Sequence, residues 1–147
     1  MREHKKKRVL VFGVFDFLHP GHLFFLRSAK RLGEELVVVV ARDSVAQRLK
    51  GRRPVHSERK RVRMLRRVPF VSSVVLGDAR EGIYSVLKKR VPHCIAFGYD
   101  QKGLCKDIKA RMKRREIPRI PIKIIRSRAP HRFKSSLYRG KKAGHFR

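Results

Sequence analysis

The stretch Arg8-Val9-Leu10-Val11-Phe12-Gly13-Val14-Phe15-Asp16-Phe17-Leu18-His19-Pro20-Gly21-His22 changes character from one end to the other. Arg8 to Phe12 is a short, unbroken run of β-branched and aromatic residues, the pattern of a strand covered on both faces. Beyond it, Leu23, Leu26, Ala29 and Leu32 recur at every third position up to Gly33, which predicts a helix with that stripe turned inward. The opening unit is therefore strand, loop, helix. His19 and His22 stand three residues apart at the mouth of that helix, so both imidazoles face one side of its first turn. Unpaired backbone N–H groups and the positive end of the helix dipole are expected to point the same way. Such a place binds anions, and imidazoles add hydrogen bonds to phosphate oxygens. Gly21 lets a phosphate approach the main chain, and Pro20 is tolerated at a helix start.

Four further apolar runs alternate with helical patterns along the 147 residues. Residues 35–41, 71–76, 94–97 and 122–125 read as strands. Helices are expected from Ser44 to Leu49, behind Ser57 as a cap with Val62, Leu65 and Val68 inward and arginines outward, around Ile83, Val86 and Leu87, and through Leu104, Ile108 and Met112. Strands alternating with helices imply right-handed crossovers. The expected fold is a single α/β domain, a Rossmann-like, doubly wound, parallel five-stranded sheet with helices on both faces, spanning residues 8–126. A basic lead at 1–7 precedes it. A basic segment at 127–147 follows, with Ser135 and Ser136 as candidate caps of a last short helix and a mobile end beyond Gly140.

Forty Lys and Arg against eleven Asp and Glu give a formal charge of +29. The partner or substrate is therefore expected to be anionic: a nucleic acid, a nucleoside triphosphate or a membrane surface. The cations are spread over nearly every segment, so solvated helix faces account for most of them. Nonspecific nucleic-acid binding is an expected side property, although no RNA-recognition or helix-turn-helix signature is present. Cys94 and Cys105 form no CxxC pair, which speaks against a disulfide scaffold or a zinc site and fits a reducing cytoplasm. The run Leu36 to Ala41 falls far short of the roughly 20 residues that span a bilayer. The apolar run behind Met1 to Arg8 stops at Asp16, too soon for an export leader. Neither a GxGxxG after the first strand, nor a GxxxxGK[ST], nor an HExxH occurs, so dinucleotide dehydrogenases, P-loop ATPases and metal hydrolases have no motif support.

In an open parallel sheet the ligand sits beyond the carboxyl ends of the strands. Asp16, Asp43, Asp78 and Asp100 all fall just after expected strands, and only Asp107 does not. These carboxylates are candidates to hold Mg²⁺, ribose hydroxyls or basic side chains, Asp16 and Asp100 foremost. Magnesium needs few of them, because substrate phosphates and waters complete its shell. The loop Lys50-Gly51-Arg52-Arg53-Pro54 is a candidate phosphate clamp.

Gly13-x-Phe15-Asp16 followed by His19-x-Gly21-His22 resembles the signature of the cytidylyltransferase-like nucleotidyltransferases, whose HxGH motif grips a nucleoside triphosphate. Within that superfamily the chain looks like the archaeal-type FAD synthases, which join the AMP part of ATP to FMN. That likeness covers Gly13 to Leu26, Val40 to Asp43, Lys50 to Pro54, Val75 to Asp78 and Gly98-Tyr99-Asp100-Gln101. It implies that His19, His22 and Lys50 are catalytic and contact phosphate. It also implies that Gly13, Val14, Phe15, Asp16, Gly21, Gly98, Asp100, Gln101, Ser135 and Ser136 lie at the nucleotide, and that Asp43, Arg52 and Asp78 lie toward the acceptor. It implies ATP or CTP with a divalent metal, Mg²⁺, as cosubstrate, no metal site built from protein ligands alone, and a homodimer. FMN is the first acceptor to expect, a phosphorylated alcohol such as glycerol phosphate with CTP is an alternative, and a noncatalytic nucleic-acid-binding protein on the same fold is another. Relatives commonly carry an Arg-x-x-Gly-Ile-Ser-Thr-Thr type segment near the C-terminus; here Arg126 and Arg132-Phe133-Lys134-Ser135-Ser136 stand there with altered spacing.

Overall fold

The computed structural model describes residues 5–126, so the basic tail with Ser135 and Ser136 lies outside the described residues. Five strands, β1 (Arg8–Gly13), β2 (Glu35–Val40), β3 (Ser73–Leu76), β4 (Cys94–Gly98) and β5 (Ile122–Ile125), alternate with helices. The helices are α1 (Pro20–Lys30), α2 (Asp43–Lys50), α3 (Glu58–Arg66), α4 (Ser85–Lys89) and α5 (Lys102–Lys113). The strands pair in parallel in the order β3-β2-β1-β4-β5. The chain thus steps outward from β1 to β3, returns across the sheet and steps outward again. The switch falls between β1 and β4, where the two crossovers leave on opposite faces and open a crevice at the carboxyl ends.

The period of two along β1 and β2 divides the core. Val9 and Val11 with Leu36, Val38 and Val40 face the layer that holds Phe25, Leu26, Ala29, Val62 and Leu65 of α1 and α3. Leu10 with Val37 and Val39 face the other layer, which holds Leu87, Cys105 and Ile108 of α4 and α5. The run of valines in β2 shows no polar alternation because both faces are covered.

Two details depart from the sequence expectation. The buried residues of α1 are His22, Phe25, Leu26 and Ala29, while Leu23 and Leu32 are exposed. Positions three apart drift by roughly 60° per step on a helix of 3.6 residues per turn, so a strict three-residue spacing winds off the buried face, whereas a mixed three-and-four spacing stays on it. β3 begins at Ser73 rather than Val71, because the Val71 N–H closes a turn onto the Val68 carbonyl.

The larger departure is Arg61. The arginines of α3 read as a solvated face, yet Arg61 is fully buried. Its Nη1 donates to the carbonyls of Val14 at 2.8 Å and Ala41 at 2.9 Å. Its Nε donates to the His56 carbonyl at 3.1 Å, and its Nη2 meets the Asp43 carboxylate at 2.7 Å. One planar guanidinium therefore ties the loops after β1 and β2 to the loop before α3. A helical stripe of Val62 and Leu65 gives no sign of it, because the carbonyls that draw it inward come from distant segments. Arg61→Ala leaves those acceptors and a carboxylate unpaired, and is expected to cost about 3–5 kcal/mol in urea unfolding. Arg61→Lys should recover only part of that, since an ammonium lacks the fork.

Candidate active site

His19 and His22 form the first turn of α1 in an unforeseen way. His19 is the N-cap, and its Nδ1 accepts the N–H groups of Gly21 at 3.0 Å and His22 at 3.4 Å. In return the His19 N–H donates to Nδ1 of His22 at 3.4 Å. This is a reciprocal capping box in which two histidines take the places usually held by Ser or Thr and Glu. Pro20 has no N–H to satisfy. The expected unpaired N–H groups at the helix mouth are therefore already engaged by the cap, which leaves the positive end of the helix and the His19 ring at the crevice.

Because both Nδ1 atoms accept, the proton of each neutral ring sits on Nε2, the edge turned away from the backbone. The rings stack with centroids 3.9 Å apart and planes at 23°. His19 borders the crevice, whereas His22 lies behind it, 1% exposed, with Phe15 edge-on at 5.6 Å. The expectation that His22 stands at an open helix mouth is thus corrected: three residues along, the helix has turned it into the packed layer. Burial, then the neighbouring His19 and, more weakly, the Lys50 charge push the His22 pKa down from 6.5 to about 3. It is neutral at physiological pH.

The crevice at the β1–β4 switch is lined by Phe12, Phe15, His19, Phe25, Gly98 and Asp100 among others, with Gly21 and Gln101 also on its wall. The expected nucleotide residues Phe15, His19, Gly21, Gly98, Asp100 and Gln101 are thus brought to one place. Phe15 adopts a left-handed backbone at φ 53°, a strained conformation for an aromatic residue, and its ring folds back over Gly13. A Cβ on Gly13 would stand 2.4 Å from that ring. Gln101 also serves the scaffold: its side chain accepts from the Gly98 N–H and donates to the Phe12 carbonyl, each at 2.9 Å, which locks the ends of β1 and β4 together.

The remaining aspartates are engaged by the protein itself. Asp16 accepts the N–H groups of Val55 at 2.8 Å and His56 at 2.9 Å, while His56 Nδ1 donates back to the Asp16 carbonyl at 2.7 Å. The basic loop after α2 is thereby held against the motif loop. Asp43 pairs with Arg61, and Asp78 accepts the Ser85 N–H at 2.7 Å to start α4. Arg52 is exposed, just beyond Gly51, which ends α2 in the left-handed region. Among the described residues no three His, Cys, Asp or Glu gather as a metal cluster. Asp100 on the crevice wall is a donor suited to an ion held chiefly by phosphate oxygens and water.

A parallel sheet whose switch-point crevice meets a histidine-capped crossover helix defines a nucleotide-binding α/β domain of the HxGH type. The cytidylyltransferase-like family model matches residues 10–141, and the chain belongs to that family. An FAD synthase of Pyrococcus abyssi is 38% identical over 91% of this chain and 87% of its own length. One from Aciduliprofundum boonei is 44% identical over 81% of this chain and 76% of its own. A Thermoplasma volcanium structure titled a lipopolysaccharide core biosynthesis protein superposes with a TM-score of 0.71 at 36% identity, over 83% of this chain and 96% of its own. A pantoate-beta-alanine ligase from Francisella tularensis shares the fold alone, with a TM-score of 0.58 at 12% identity, over 84% of this chain and 60% of its own.

The depressed His22 pKa has a consequence for stability. Protons bind the unfolded chain first, at 6.5, so the ring's contribution is complete above that pH and is lost as pH falls toward 3. Between pH 7 and pH 5 the wild type should lose about 2 kcal/mol more than His22→Asn, read by urea titration at the two pH values.

Proposed function

We propose that the protein is an FMN adenylyltransferase, an FAD synthase that transfers AMP from ATP to FMN and releases pyrophosphate in the cytoplasm. The observation that carries this reading is the histidine-capped mouth of α1 opening on the switch-point crevice. The extent of the likeness to FAD synthases supports it.

The triphosphate lies against the Nε2 edge of His19 and the positive end of α1, with His22 supporting that ring from behind and Lys50 reaching the phosphates from the end of α2. The base enters the crevice among Phe12, Phe15 and Phe25. Tyr99 stands exposed at the crevice rim. An oxygen of the FMN phosphate attacks the α-phosphorus, the bond to the bridging oxygen breaks, and pyrophosphate leaves. That oxygen is already ionised near neutral pH, so no general base is needed and the protein's work is positioning and charge neutralisation. Mg²⁺ bound with ATP supplies further neutralisation of the phosphate oxygens. Arg52 and the ends of β2 and β3 lie on the acceptor side.

Incubation with FMN, Mg²⁺ and ATP should yield FAD and pyrophosphate, separated by chromatography. Absence of FAD with both ATP and CTP rejects the reading, and pyrophosphate release from CTP with glycerol phosphate but not with FMN replaces it with a cytidylyltransferase. Lys50→Ala should raise the KM for ATP or lower kcat by about tenfold or more, and unchanged kinetics would remove Lys50 from the site.

A further inference from the structure

Tyr99, Gly98 and Gln101 line two concavities. On the far side of Tyr99 from the narrow crevice, α5 and the edge strand β5 enclose a groove of about 690 Å³. Lys102, Lys106 and Lys109 of α5 line it, with Ile124 and Arg126 on the opposite wall. The lysines are spaced four and three apart, which sets them in a row along one side of the helix. All three are exposed, as is Arg126. Among the described residues no carboxylate lines the groove. Asp107, the acid of α5, is held by the Tyr84 hydroxyl at 2.6 Å and by Arg111 at 3.0 Å. A concave surface lined by cations concentrates positive potential and suits a polyanion.

We propose that this groove binds single-stranded nucleic acid, its phosphates following the lysine row and one base stacking on Tyr99 at the inner end. A row of cations beside an exposed aromatic ring is the combination that holds single strands without regard to sequence. Stacking on Tyr99 requires an unpaired base, which a duplex does not offer. The proposal stands apart from the FAD synthase reading, since it needs neither ATP nor FMN. The two sites meet at Tyr99.

The test is fluorescence anisotropy of the full chain with a labelled uridine oligomer of about 12 nucleotides across a range of salt concentrations. Lys106→Glu with Lys109→Glu should weaken binding at least about tenfold and make the salt slope shallower by about 1.4, the share of two phosphate contacts on a single strand. Arg63→Glu with Arg66→Glu changes the charge by the same amount on exposed positions of α3, across the sheet, and should weaken it less than about threefold. Lys106→Gln with Lys109→Gln should reproduce the groove effect with a smaller charge change. Tyr99→Ala should weaken the single strand about fivefold or more while leaving a duplex of the same length unaffected. Equal losses from the groove and α3 variants would overturn the proposal in favour of diffuse surface charge. It would also fall if the duplex bound as tightly as the single strand, or if vesicles of anionic phospholipid bound while the oligomer did not.

Discussion

The site depends on the reciprocal cap between His19 and His22. A helix start must satisfy its first N–H groups, and here the two imidazoles do so for Gly21, His22 and His19. That local requirement has a chemical result. Each ring commits Nδ1 to the backbone and carries its proton on Nε2; His19 borders the crevice, whereas His22 is buried behind it together with its Nε2. Stacking holds the two rings in register, and burial keeps His22 uncharged. The motif thus starts the helix through one edge of each ring and leaves His19 on the crevice wall.

Around this cap the polar network divides the work by charge. The carboxylates at the strand ends mostly hold the protein together: Asp16 pins the loop before α3, Asp43 receives Arg61, and Asp78 starts α4. Cations are left over for anionic ligands. Arg61 makes the arrangement a unit, since its buried guanidinium binds three loops that approach the crevice from different crossovers. A buried charge with four acceptors persists only where each is well placed, so these loops have little freedom to drift apart.

The surplus charge has two settings in the fold. Along α3 most arginines are exposed on a convex helix, where solvent screens them. Between α5 and β5 the lysines line a recess, where the same number of charges produces a stronger local field. Composition alone cannot separate these cases, because concavity is a property of packed elements.

The order of elements, the parallel sheet, the helices on both faces and the histidine motif were all legible from residues 8–125, since unbroken apolar runs, Gly and Pro punctuation and the HxGH spacing are local signals. The use of Ser57 as a cap was legible for the same reason, and its hydroxyl accepts the Lys60 N–H at 3.2 Å. The burial of Arg61 and of His22, the structural use of Asp16 and Asp43, and the lock made by Gln101 were not, because each partner lies far along the chain or is fixed only when a helix settles on the sheet. Sequence by itself determined which groups the protein has and the local unit that first presents them. Tertiary structure decided which of them face a ligand and which are spent on the fold, because hydrogen-bond partners and desolvation exist only once distant segments have packed.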